Sequence, residues 1–364
     1  MGPFERIKRR NLDYLLIETI KQIGVSNYSL LARMTGLNPE TVRYKVSRQL
    51  SKYGLEVQVN LNHAELGMSV GLLVVDADPS KDWLGEVSYL FFEGKVIGTA
   101  KYVCLFAVPF RFKKKYADVL GFMKQKKEIY DFQVFEAKWT RYPSFRPEFY
   151  NFDEKRWNVD WKRVDMTQGE NGATSIDVNR DAAIDYFDVK ILKAMQESPT
   201  VSLAKVAAEM NANPRTLRYH HAEHVTKGKF ILNSNVRWRR PSLEGKPGEL
   251  MQMLVLFKGI GQEKVAKARK LVNKIPFTWI EGGSEAGDYF ALLDVPIERL
   301  YETARYIEGN VEDVKNNYSM FMLDSQKSRY LFIPDEMFDP KRGWTLPSYK
   351  QEMARSEEGG LRKS

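Results

Sequence analysis

One cysteine in 364 residues, Cys104, excludes an internal disulfide framework and fits a reducing compartment. It stands in the apolar run Cys104-Leu105-Phe106-Ala107-Val108, which reads as buried core. Histidine is scarce too: His63 stands alone, and the other three crowd into His220, His221 and His224. No stretch approaches the roughly 18 apolar residues of a membrane span, and no N-terminal run joins a charged start to a secretory apolar core. A soluble, cytoplasmic protein without a membrane partner is expected. Nucleophile-base pairs, phosphate loops and metal-ligand spacings are also missing. The sequence therefore predicts no catalytic residue, no metal and no cofactor, and the chain reads as a non-enzyme.

What is there is length and localised charge. At 364 residues the chain exceeds the size at which one core keeps growing, so several domains are expected. Its net charge of +9 is unevenly placed: windows 1–60 and 185–240 each hold ten Lys and Arg against five Asp and Glu, and the remainder is close to neutral. Clustered positive charge is the footprint of a phosphate-backbone binder.

The two windows are related. Asn38-Pro39-Glu40-Thr41-Val42-Arg43-Tyr44 returns 175 residues later as Asn213-Pro214-Arg215-Thr216-Leu217-Arg218-Tyr219, five of seven positions identical. The same offset carries Asp13 onto Asp188 and Leu16 onto Ile191. Val108-Pro109-Phe110 matches Val295-Pro296-Ile297, and Phe152–Trp157 resembles Phe338–Trp344. A tandem duplication follows. The polar, glycine-containing Met166–Ala173 reads as a linker, and the charged Gln351–Ser364 as a disordered tail.

Each repeat opens with two short helices and a third entered through Asn38-Pro39 or Asn213-Pro214, an N-cap followed by proline at the first helical position. Gly36 and Asn211, the residues that best tolerate left-handed backbone, end the second helix. A strand-like wing follows, Leu55–Asn60 and Phe230–Trp238, which makes a winged helix-turn-helix that docks on double-stranded DNA. The shared Thr41/Thr216, Arg43/Arg218 and Tyr44/Tyr219, with Asn38, are assigned to phosphates. The differing Lys45, Arg48, Arg215 and His220 are candidates for reading bases on an asymmetric site, and Lys227, at the end of the third helix, is assigned to DNA as well. Arg6, Lys8, Arg9 and Arg10 form a basic arm or a solvated end. His220 and His224 share a helix face, but no Cys or acidic partner stands at a recognisable spacing, so no metal site is assigned.

The second part of each repeat reads β-α-β-β-α-β, the ferredoxin-like order. The second repeat places strands at 250–259, 276–283, 287–295 and 311–323, with helices at 262–275 and 297–309. The first places strands at 67–75, 95–102, 104–110 and 128–139, with helices at 81–94 and 111–127. The fold class is thus α+β, two repeats, each a winged helix-turn-helix followed by a ferredoxin-like domain. Boundaries fall at 1–62, 63–140, 141–184 (extension and linker), 185–240, 241–325 and 326–364.

This order of parts resembles the leucine-responsive/asparagine-regulator (Lrp/AsnC) family of transcription regulators twice over, most specifically through Ser29-Leu30-Leu31-Ala32 to Arg43 and Gly287-Asp288-Tyr289. The resemblance implies a sequence-specific DNA-binding regulator, pseudo-dimeric through its repeat and open to further homo-oligomerisation. It also implies an amino-acid effector near Gly283, Gly287, Asp288 and Tyr289, where Phe290 replaces the family's usual acidic residue. Two alternatives share the scaffold: a tetrapyrrole (siroheme) decarboxylase, and a DNA-architectural protein with little sequence preference.

Overall fold

The computed structural model describes residues 12–346, apart from 26, 79, 82, 167–173, 176–182, 239–249 and 312–315. The basic arm, the linker beyond Met166 and the C-terminal tail lie outside those described residues.

Helix α1 (Leu12–Ile23) forms because Leu16, Ile17 and Ile20 recur on one face, and all three are fully buried. Burial of each such side chain contributes about 1.5–3 kcal/mol. Helix α2 (Tyr28–Thr35) starts where the Asn27 side chain accepts the Leu30 N–H, and stops at Gly36 with φ 71°. Helix α3 (Pro39–Tyr44) starts at the anticipated cap, with Asn38 Oδ1 accepting the Glu40 N–H at 2.8 Å. It continues through a π-helical stretch, Lys45–Gln49, into a last turn, Leu50–Lys52.

Strand β1 (Leu55–Leu61) leads to β2 (Met68–Ala77), β3 (Leu90–Lys95), β4 (Lys101–Pro109), α4 (Lys113–Gln125), β5 (Ile129–Glu136) and β6 (Trp139–Arg141). The second half begins with α5 (Tyr186–Glu197), α6 (Leu203–Glu209) and α7 (Pro214–Tyr219), the last extended by π-helical His220–Thr226. Then come β7 (Ile231–Trp238), β8 (Leu250–Phe257), α8 (Gln262–Val272), β9 (Thr278–Gly283), β10 (Tyr289–Pro296), α9 (Leu300–Gly309), β11 (Tyr318–Leu323) and β12 (Arg329–Tyr330). No helix among the described residues is long and apolar enough to cross a membrane.

The helix expected at 81–94 is absent, and so is the strand expected at 95–102. A single 3-10 turn, Leu84–Glu86, takes the helix's place, and β3 already begins at Leu90. The reason is local. Asp78 accepts from both the backbone and the hydroxyl of Ser80, an Asx turn that competes with helix initiation. Trp83 is buried edge-on against Tyr102, and Tyr89 sits at φ 62°. Those anchors fix the segment as a loop.

The two large sheets are antiparallel and share one order. The first runs β12-β3-β4-β2-β5; the second runs β11-β8-β10-β9-β6 and adds the short strand Thr174–Ser175 beyond β6. In each, the strand beyond the ferredoxin-like four comes from the other half of the chain. β6 pairs with β9 through Glu281↔Arg141 and Gly283↔Trp139, and β12 pairs with β3 through Arg329↔Glu93. Gly283 is required there, because an added Cβ would lie 2.7 Å from the Trp139 indole. The strands expected as wings pair with each other, antiparallel from Leu55↔Trp238 to Asn60↔Asn233.

Packing is crossed in the same way. One core joins the first sheet to Val189, Leu192, Val206 and Leu217 of α5–α7. The other joins the second sheet to Leu16, Ile20, Leu31 and Val42 of α1–α3. At the β6–β9 seam, Arg141 Nε meets Glu281 Oε1 at 2.5 Å with both side chains buried, and the Tyr289 hydroxyl donates to the same carboxylate. Burial raises the Glu281 pKa against the pull of Arg141, so the guanidinium is what keeps that charge tolerable. Replacement of Arg141 by Met should cost about 3 kcal/mol in urea unfolding. Adding Glu281→Gln should recover part of that loss, since the uncompensated charge is then gone.

Candidate functional site

Arg237, near the end of β7, is 5% exposed. Its guanidinium stands 4.0 Å from the Trp279 ring centroid and 4.3 Å from that of Tyr330. Burial works against this charge, and Asp294, which accepts from Arg237 Nε at 2.6 Å, more than restores it. Gln252 donates to Asp294 and to the Tyr330 oxygen, and Arg237 Nη2 donates to Tyr330 as well. Arg237 Nη1 has no hydrogen-bond partner.

Two hollows meet at Trp279. The larger is lined by Gln58 and Asn60 of β1, His63, Phe91, Tyr142 and Phe332. Exposed Leu331 and Phe332 belong to its lining. The smaller lies around Arg237, Asp294, Trp157, Trp238 and Phe277. There the Trp157 and Trp238 indole N–H groups are buried without partners, like Arg237 Nη1. All three unsatisfied groups are donors, and none can accept. A guest that answers them must bring acceptor oxygens, and a carboxylate answers the cation as well.

Besides Tyr330, two titratable groups line the larger hollow. His63 stacks on Phe91 with centroids 5.2 Å apart, and burial pushes its pKa down to about 4, so the imidazole is neutral at pH 7. Burial raises the Tyr142 pKa, so that phenol keeps its proton.

The residues singled out for DNA separate into two groups. Thr41, Arg43, Tyr44, Arg48, Arg215, Arg218, Tyr219 and Lys227 are exposed, and Thr216 is half-buried. Arg43 lies over the Tyr28 ring and 3.7 Å from Glu40; Lys227 pairs with Glu223. Asn38 is spent on its cap. Lys45 turns inward onto Asp13 at 2.6 Å, and His220 turns inward onto Asp188 at 3.2 Å. The buried aspartates pull them off the outer face.

The residues singled out for an effector hold one another. Gly283 is covered by Trp139, and the hydroxyl of the buried Tyr289 serves Glu281. Asp288 accepts from the Gly259 N–H and from the Ser284 hydroxyl, while Gly287 turns at φ 83° against Gly261.

Sequence reasoning missed Arg237, Trp279, Tyr330, Trp157 and Tyr142. One signal was present: Asp294 interrupts the apolar run Ala291-Leu292-Leu293-Asp294-Val295, and a carboxylate inside a buried strand calls for a cation. Which cation answers it depends on pairing across the fold.

No known family profile matches the chain, and no curated protein sequence does. Among solved structures, the siroheme decarboxylase NirDL in complex with an iron-uroporphyrin III analogue matches 95% of this chain and 99% of its own, with a TM-score of 0.54 at 9% identity. NirDL alone matches 96% and 100%, at 0.54 and 11%. The leucine response regulatory protein LrpA of Mycobacterium tuberculosis matches 35% of this chain and 90% of its own, with a TM-score of 0.25 at 21% identity. The likeness is one of fold. It corrects the expectation of a non-enzyme, because the structures that share nearly the whole chain are those of a decarboxylase.

Proposed function

We propose that the chain is a decarboxylase of an acid-substituted tetrapyrrole, with the hollows that meet at Trp279 as its substrate site. The observation that carries this reading is the buried donor cluster, Arg237 Nη1, Trp157 Nε1 and Trp238 Nε1, in a fold that runs end to end with NirDL. The larger hollow offers Trp279, Phe91 and Phe332 as apolar walls against which the edge of a flat macrocycle could lie. The donor cluster then takes a side-chain carboxylate. Loss of CO2 from a ring-bound acetate breaks the C–C bond, sends its electron pair into the pyrrole ring and leaves the methylene carbon in need of a proton. Tyr142 lines the hollow with its proton held, while His63 is neutral and serves as an apolar wall.

The same reading treats the chain as a tandem duplication with boundaries near 62, 140, 184, 240 and 325, whose halves pair as two subunits would. A second reading, binding of duplex DNA, is favoured by Arg43, Arg48, Arg215 and Arg218, all exposed on or directly after α3 and α7. Both activities fit one chain, because the two sets of residues do not overlap.

Incubation of the full chain with siroheme, followed by mass spectrometry, should show loss of CO2 from acetate groups. Arg237→Met should weaken binding about 10–100-fold, the range for a charged hydrogen bond. Tyr142→Phe should slow turnover while leaving affinity within a few-fold. Unchanged siroheme with no shift in its visible spectrum would sink the reading. Arg43→Ala/Arg218→Ala should lower duplex affinity and reduce the slope of log K against log salt by about 2; equal retention of DNA by the variant would remove the second reading. The cleft also has a pH signature. The folded pKa of His63 is lowered to about 4, so below pH 6.5 the unfolded chain binds the proton first. Stability is therefore complete above pH 6.5 and declines by about 3 kcal/mol as pH falls towards 4. Urea unfolding at pH 7 and pH 4.5 should show that decline diminished in His63→Phe.

A further inference from the structure

We infer that Asp185, Asp188, His220 and His224 form a binding site for one zinc-class divalent cation, which locks α7 onto α5. His220 Nδ1 lies 3.1 Å from Asp185 Oδ2 and 3.2 Å from Asp188 Oδ1. His224 Nδ1 lies 3.1 Å from Asp188 Oδ2 and 3.6 Å from Asp185 Oδ2. One ligand atom from each residue falls within 4.8 Å of all the others. Tetrahedral ligands at bond lengths of roughly 2.0–2.1 Å are about 3.3 Å apart, near the individual His–carboxylate spacings, so the four ligand atoms, now within 4.8 Å of one another, need only a small contraction to close an N2O2 shell. Two imidazoles with two carboxylates select a borderline ion over calcium or magnesium.

The carboxylates are already aimed by the backbone. Asp185 Oδ1 accepts from the Phe187 and Asp188 N–H groups, which directs its Oδ2 to the cluster, and Asp188 Oδ2 accepts from the Asp185 N–H. Such outer hydrogen bonds orient ligands ahead of binding.

The first half of the chain supplies the independent observation. Its equivalent buried carboxylate, Asp13, is held by Lys45 Nζ at 2.6 Å, Gln49 Nε2 at 3.0 Å and the Tyr53 hydroxyl at 2.8 Å. At the offset of 175, Lys45 becomes His220, Gln49 becomes His224, Tyr53 becomes Gly228, and Arg10 becomes Asp185. Every change removes a fixed cation or a neutral donor, or adds an anion. The second half therefore places two carboxylates and two imidazoles where the first half has an ammonium group. Asp188 is 0% exposed and needs a counter-charge as Asp13 does. A divalent ion bound by the four side chains supplies it. The acidic ligands precede the histidines by more than 30 residues, so no linear spacing motif could announce the site.

The test uses the full chain stripped with a chelator. Zinc titration by calorimetry should show one equivalent bound and a raised unfolding midpoint, and cobalt should give the visible bands of a tetrahedral ion. His220→Lys/His224→Gln installs two of the first half's donors. It should fold, lose at least 100-fold in zinc affinity and show a midpoint indifferent to zinc. Asp185→Asn keeps the helix cap and should weaken zinc by 10-fold or more. Absence of zinc binding at micromolar concentrations by the wild-type chain would overturn the site. So would zinc affinity that survives both variants, since the ion would then sit elsewhere.

Discussion

A sheet edge left open to water presents a row of unpaired N–H and C=O groups, and in this chain each sheet meets that constraint with a strand from the opposite half. β6 leaves the first sheet to extend β9, and β12 leaves the second to extend β3. Once those strands have crossed, the segments after them can reach only the far side. The Tyr150 hydroxyl donates to the Tyr53 carbonyl, Arg299 donates to the Trp157 carbonyl, and Lys190 and Lys193 both grip Asp335 at 2.5 Å. The β1–β7 ribbon does the same for the helical units. The halves are thus interlocked at three places, and neither core could be completed by its own half.

This crossing explains what could be read from the sequence and what could not. Local signals act over a few residues and were legible: Asn38-Pro39 and Asn213-Pro214 start helices, and Gly36 and Asn211 end them in left-handed backbone. The alternation in 230–238 announced a strand, but its partner lies 173 residues away, as Asn60 and Asn233 show. The segment 81–94 read as a helix, yet the Asp78–Ser80 turn and the burial of Trp83 outweigh that weak preference. Arg237 read as part of a basic, solvent-facing window, because its counter-charge Asp294 belongs to a different sheet element.

Asp13 and Asp188 show how the same constraint acts on single side chains. A buried carboxylate must be paired, so residues at fixed positions on the third helix face inward whatever their type. Lys45 and His220 are the clearest cases, and both had been assigned to the outer face from charge and difference alone. The exposed neighbours Arg43 and Arg218 carry no such obligation. Charge located along a sequence therefore overstates what such a helix presents, by the number of residues its own core consumes.

The fold is compatible with either an enzyme or a regulator, so the decision rests with side chains. On the third helix of the first half the inward Lys45 is satisfied within the chain by Asp13, and the outward Arg43 and Arg48 are exposed to solvent. Around Arg237 the situation is reversed. Three buried donors have no partner, and each such group costs about 1–3 kcal/mol when left unmet. That cost brings no packing advantage, since an apolar side chain of similar size would fill the same space. The three donors, walled by Trp279 and Tyr330 beside the equally unpartnered Gln252 Oε1, make physical sense as a site completed by a guest that brings acceptor oxygens.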